Sequence, residues 1–129
     1  MKEGDWRLAA VRGATTVEAD TADQIRERTA EVLESIMERN GIGPDYIVSI
    51  IFTATPDLVS EFPAVAARGM GLSDVPLLCS QEIPVTGSVK KCIRVLVHFY
   101  STRKNGRRDV DIRHVYLHGA KQLRTDLPE

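Results

Sequence analysis

The chain is poor in the residues that announce the commoner kinds of functional site. It holds two cysteines in 129 residues, Cys79 and Cys92, with no companions at zinc-ligand spacing. That excludes a disulfide scaffold and a structural zinc site, and it makes reduced thiols in a cytoplasmic setting the expectation. Aromatic side chains make up 5% of the sequence, and neither sign of charge dominates: 17 basic against 18 acidic side chains leave a formal net charge of -1. A protein that grips nucleic acid through bulk charge carries a basic face and a high pI, so nucleic acid is not an expected partner. Every apolar run falls short of the roughly 18 residues that cross a bilayer, so no membrane partner is expected either. The opening residues Met1 to Asp5 are charged, and the apolar stretch behind them is interrupted by Arg7 and Arg12, unlike a secretion signal. Also missing are a G-x-S-x-G elbow, a P-loop, a dinucleotide-binding glycine fingerprint and paired histidines at metal spacing. No metal and no cofactor is expected. His98, His114 and His118 are spread over the last part of the chain and read as surface or edge-strand histidines.

What remains is an ordinary globular composition, 43% hydrophobic and 27% charged. The length suits one domain over residues 1–129. A monomer of this size buries only about two thirds of its unfolded surface, so assembly is a natural source of further burial.

Trp6 to Val11 reads as a strand that ends at Arg12-Gly13. Thr21 and Gln24 stand at capping-box spacing, and Ile25, Thr29, Val32, Leu33, Ile36 and Met37 mark one helix face closed by Asn40-Gly41. Tyr46 to Thr53 is β-branched and apolar, as a strand buried on both faces would be. Pro63 suits the first turn of a short helix to Met70, and Val75 to Cys79 is a short strand. Cys92 to Tyr100 alternates: Ile93, Val95, Val97 and Phe99 point one way, and Cys92, Arg94, Leu96, His98 and Tyr100 the other. Ser101 to Asp109 is a polar, basic hairpin or loop, Ile112 to Leu117 a last strand, and the segment from Leu123-Arg124 onward a loose tail. Strands interleaved with two helices predict an α+β or α/β domain around one sheet.

The unusual residues are arginines in apolar company. Arg94 interrupts Ile93-Arg94-Val95-Leu96-Val97, Arg12 adjoins Gly13, and Arg68 follows Ala66-Ala67. A guanidinium inside a strand costs several kcal/mol, roughly, unless an anion meets it. Each could be a snorkelling surface cation or half of an ion pair with Glu61, Asp74 or Glu82. Taken together they point to a carboxylate pocket, because forked planar donors hold carboxylates in fixed geometry.

Six strings carry a resemblance in order and approximate spacing. They are Val11 to Glu18, Ala54 to Leu58 with Phe62-Pro63-Ala64, Gln81-Glu82, Val85-Thr86-Gly87, Lys91 to Val95, and Ile112 to Leu117. From about Arg7 to Leu127 the chain resembles the monofunctional α/β chorismate mutase family, which is distinct from the all-helical class. The resemblance implies an α+β fold, a mixed β-sheet with two main helices on one face, ferredoxin-like in build and assembled as a pseudo-α/β-barrel trimer. It implies conversion of chorismate to prephenate, in aromatic amino-acid biosynthesis, at sites between subunits. By motif, Arg12, Cys79, Glu82, Arg94 and Tyr116 would line the cleft from one subunit, with Arg94, Glu82 and Arg12 closest to the chemistry. Phe62, Ala64 and Arg68 would come from the neighbour, with Leu123 and Arg124 at the mouth. Val65 and Leu78 depart from the family pattern, and the basic run with Arg103, Lys104, Arg107 and Arg108 is longer than that pattern has. That run is either a steering patch or a solvated loop. A metabolite-binding or imine-hydrolysing trimer of similar shape stands as the alternative, with a scaffold role behind it; neither requires Arg12, Glu82, Arg94 and Tyr116 jointly.

Overall fold

The two longest strands organise the molecule. In the computed structural model, which describes residues 6–104, 107–108 and 112–124, β1 (Trp6–Thr16) and β4 (Cys92–Lys104) pair antiparallel from Trp6↔Thr102 to Thr16↔Cys92. On the far side of β4 lies antiparallel β2 (Ile47–Ala54), and beyond it β3 (Leu77–Gln81), parallel to β2. A two-residue β6 (Val115–Tyr116) runs parallel to β1, giving the order β3-β2-β4-β1-β6. The pair β5 (Arg107–Arg108) folds back as a hairpin on the end of β4.

The alternation of β4 decides where the core lies. Ile93, Val95, Val97 and Phe99 are buried on one face. Against most of that face pack Val32, Leu33 and Ile36 of α1 (Ala22–Asn40) and Ala64 and Ala67 of α2 (Ala64–Gly69). Fully burying an aliphatic or aromatic side chain contributes about 1.5–3 kcal/mol, so this single face supplies most of the drive to fold. Both helices lie on it, as the family resemblance implied.

The start of α1 follows its sequence signal: Thr21 Oγ1 accepts from the Gln24 amide at 3.2 Å, and Gln24 Oε1 accepts from the amides of Glu18 and Ala19. Its end does too, with Gly41 left-handed at φ 61°. Four boundaries differ from expectation by more than one residue, among them the end of β4, which runs to Lys104 rather than Tyr100. β1 does not stop at Arg12-Gly13 but runs on to Thr16. Gly13 is there for contact rather than for a turn, since a Cβ on it would stand 2.6 Å from Ile36 Cδ1. β3 begins after Pro76 and runs to Gln81, two residues later than predicted. The last strand shrinks from Ile112–Leu117 to Val115–Tyr116, and a 3-10 helix, His118–Leu123, follows it and takes in Leu123, the first residue of the expected tail. The basic run begins as a continuation of β4 and its hairpin. Any steering by its side chains, and the tail beyond Arg124, lie outside the described residues.

Asn40 ties the helix layer to β6. Its side-chain amide donates to the carbonyls of Ile36 and Arg113, both at 2.9 Å, and its Oδ1 accepts from the Arg113 amide at 2.7 Å. Asn40 is itself buried. Asn40→Ala would remove three hydrogen bonds at once, two of them to the backbone of Arg113, each worth about 0.5–1.5 kcal/mol net. A loss of about 2–4 kcal/mol in urea unfolding is expected for Asn40→Ala.

Candidate active site

Side chains at even positions of β1 and β4 project from the face that α1 and α2 leave open. Cross-strand register sets them in rows: Ala14 opposite Arg94, and Arg94 opposite Thr53 on β2. Arg12, opposite Leu96, is therefore the diagonal neighbour of Arg94 on the same face. Ala14 pairs in turn with Tyr116 of β6. A cleft of about 270 Å³ opens over these residues, lined by Arg12, Ile51, Thr53, Arg94, Leu96 and Tyr116 among others.

Arg94 does not stand alone in it. Its Nε donates to Glu82 Oε2 at 3.0 Å, and Thr53 Oγ1 donates to the same carboxylate oxygen at 2.7 Å. Glu82 is held in place just past β3 by its amide, which donates to the Ala54 carbonyl at 2.9 Å. The Arg94 side chain is 45% exposed and that of Glu82 16%. The acid is thus the more buried partner and the guanidinium the more exposed one. The ion-pair reading of Arg94 is met with Glu82, and the same side chain also lines the cleft.

Beneath the pair, burial pushes the Cys92 thiol up to about 11, with the Glu82 charge adding to the shift and Arg94 opposing it. A thiol so placed stays protonated at neutral pH and is no nucleophile. Further along the open face Ser49 Oγ and His98 Nδ1 are 3.3 Å apart, outside the cleft lining.

The remaining expected residues fall elsewhere in the chain. Phe62 and Cys79 line a second cleft of about 350 Å³ at the loop that follows β2, and Thr53 lines both. Ala64 is buried where α2 meets the core, so only its backbone is left for a ligand. Arg68 is exposed on α2 and lines neither cleft. Leu123 is not part of a loose tail: it packs with Tyr116 against Ala14, Cys92 and Ala120. The 3-10 helix that carries it is fixed by the Gly119 amide on Thr16 Oγ1 at 2.9 Å and by His118 with Glu31 at 2.7 Å.

His114, read from the sequence as a surface or edge-strand histidine, has a specific partner that the sequence did not indicate. Its Nδ1 accepts from the backbone N–H of Arg12 at 3.0 Å. Burial holds its pKa below the ordinary 6.5, with the charges of Arg12 and Arg124 pushing the same way. The signal available in the sequence, a histidine directly after Arg113, does not say which strand it will meet.

Two guanidinium groups, a buttressing carboxylate and a phenol on an open sheet face are an arrangement chemically suited to a small oxyanionic ligand. The chain belongs to the chorismate mutase type I family, whose profile matches residues 8–127. It is 45% identical to the chorismate mutase AroH of Bacillus subtilis over 121 residues, 93% of this chain and 92% of that one. It is 46% identical to the chorismate mutase AroH of Thermus thermophilus, covering 93% of this chain and 96% of the relative. A solved chorismate mutase from Clostridium thermocellum superposes with a TM-score of 0.80 at 49% identity, covering 88% of this chain and 98% of that one. No helix among the described residues is long and apolar enough to cross a membrane.

The depressed His114 pKa has a thermodynamic consequence. The neutral ring is favoured in the folded chain, so its contribution to stability is complete above about pH 6.5 and is lost as pH falls through the lower folded value. Urea midpoints measured from pH 7.5 to pH 5 should fall more steeply for the wild-type chain than for His114→Asn, which cannot titrate.

Proposed function

We propose that this protein rearranges chorismate to prephenate, acting as a homotrimer in the cytoplasm with residues 1–129 as one catalytic domain. The observation that carries the reading is the convergence of Arg12, Arg94 and Tyr116 on one cleft, with Glu82 paired to Arg94 from outside its lining. The rearrangement is pericyclic: one C–O bond breaks while one C–C bond forms, with no nucleophile and no proton transfer. A protein can then help in two ways. It can hold the enolpyruvyl side chain folded over the ring, and it can set fixed positive charge beside the ether oxygen as that oxygen gains electron density. Chorismate carries two carboxylates. Arg12 and Tyr116 hold one of them, and the Nη edge of Arg94 meets a carboxylate and the ether oxygen together. Glu82, already aiming Arg94, also takes the ring hydroxyl; Cys79, assigned to that hydroxyl by motif, lines the second cleft, which shares Thr53 with the first.

A homotrimer is supported by two features. Leu8, Leu78 and Tyr100 on the sheet face away from α1 and α2 are 54%, 62% and 50% exposed, an apolar surface suited to burial against another copy. Phe62, Ala64 and Arg68 belong to the site by motif, yet Arg68 lies outside both clefts of its own chain and Phe62 opens onto the second. In the proposed assembly these three serve the neighbour's cleft, while Leu123, packed with Tyr116, and Arg124 stand at the mouth of the cleft in their own chain.

The decisive assay is loss of chorismate absorbance on addition of purified protein, with the solution mass measured alongside. Arg94→Lys should lower kcat by at least about 100-fold, the scale on which a fixed transition-state donor acts, because an ammonium lacks the forked edge. Turnover near that of the wild type would remove Arg94 from this role. Arg68→Ala and Arg94→Ala chains, each weak alone, should regain activity when mixed into common trimers. Confirmed mixed trimers with no recovery would show that sites are not shared.

A further inference from the structure

The contact between His114 and Arg12 has a definite chemical sense. The donor is a backbone N–H, so Nδ1 of His114 must be the acceptor and must carry no proton; in the neutral ring the proton is on Nε2. The contact also has a structural sense. Gly13 and Ala14 are the β1 residues that pair with β6, and the Leu117 amide closes on the Ala14 carbonyl at 2.9 Å. One residue earlier, at Arg12, the ladder has ended, and the His114 ring supplies the acceptor that a further strand residue would have offered. β4 holds the opposite side of Arg12 through the Arg12↔Leu96 pair. His114 itself is anchored from behind, since Asn40 of α1 grips both backbone groups of its neighbour Arg113.

We propose that His114 is a positioning residue: its unprotonated Nδ1 pins the backbone of Arg12 so that the guanidinium is aimed into the cleft, and protonation of the ring releases it. Once protonated, the ring presents an N–H to an N–H, and the contact changes from attraction to repulsion. The charges that act on the ring are cationic, Arg12 from β1 and Arg124 after the 3-10 helix, with Arg113 next in the chain; α1 presents the uncharged Asn40 to this segment. Burial foremost, and these cations with it, hold the ring's pKa below its ordinary value, and a bound dianion beside Arg12 offsets part of the cations' effect. The device therefore acts below neutrality, and it acts on binding: an unaimed Arg12 raises KM more than it lowers kcat. This rests on the reaction proposed above, with Arg12 as a carboxylate donor.

The test compares wild type, His114→Leu and His114→Asn from pH 5 to pH 8. At pH 7.5, His114→Leu, which has no acceptor, should lose about 3–10-fold in kcat/KM, the scale of one net hydrogen bond, mostly through KM. His114→Asn, whose Oδ1 can stand where Nδ1 stands, should restore most of that loss. Wild type should lose kcat/KM as pH falls below about 6.5, and His114→Asn should lack that limb. An unchanged acid limb in His114→Asn, or wild-type KM and kcat in His114→Leu, would overturn the proposal. A readout free of turnover separates this from the reaction itself: the Arg12 amide resonance in a ¹⁵N–¹H spectrum should titrate in wild type and not in His114→Asn. If the wild-type protein leaves chorismate untouched, the proposed reaction fails while that titration still decides the contact. An Arg12 amide indifferent to pH in the wild type would refute the positioning role even in an active enzyme.

Discussion

The register between β1 and β4 is the constraint on which the site depends. It runs unbroken from Trp6↔Thr102 to Thr16↔Cys92, and it makes Arg12 and Arg94 diagonal neighbours on one face. Slipping it by one residue would send every side chain of one strand to the other side of the sheet. The helices guard against that slip, because Val11 and Thr15 of β1 and Ile93, Val95, Val97 and Phe99 of β4 are all buried on the face they cover. The geometry of a charged cleft is thus enforced by apolar packing on the opposite surface. Two like charges on adjacent strands repel. Glu82 compensates one of them, and the charge left over is what an anionic ligand would meet.

A division of labour follows among the parts that reach the cleft. β2 and β4 bring Thr53 and Arg94 side by side, and the turn after β3 returns Glu82 to both. β1 and β6 bring Arg12 and Tyr116, and the 3-10 helix packs Leu123 behind Tyr116. A chain of contacts runs from the end of α1 through Asn40, Arg113 and His114 to the backbone of Arg12. Stability and aim are coupled along this line, since a buried amide serving the fold also supports the segment that meets an exposed cation.

Much of this was legible beforehand. The helix α1 carries its own cap and stop, and β4 its own alternation, so both could be placed from local pattern with small errors at their ends. Arg94 could be singled out because a guanidinium in an apolar strand is costly unless something answers it. The strings around Arg12, Glu82, Arg94 and Tyr116 carried the family. The errors share a cause. Gly13 looked like a terminator of β1 because nothing nearby in the sequence reveals the approach of Ile36. Leu123 looked like the start of a loose tail because the anchors of the helix that carries it, Thr16 and Glu31, are about a hundred residues and 87 residues away from Gly119 and His118.

The sequence by itself determined which residues share a face, because a strand repeats every two residues and a helix every 3.6 whatever else surrounds them. It also determined that a few cations would need an anion. Only the tertiary structure decided which partners they meet. The pairing of Arg94 with Glu82, the division of the site residues between two clefts, and the use of His114 as an acceptor for Arg12, 102 residues away, all depend on strand order and register. Those are settled by burial of the whole helix-covered face, a property that no short stretch of chain possesses.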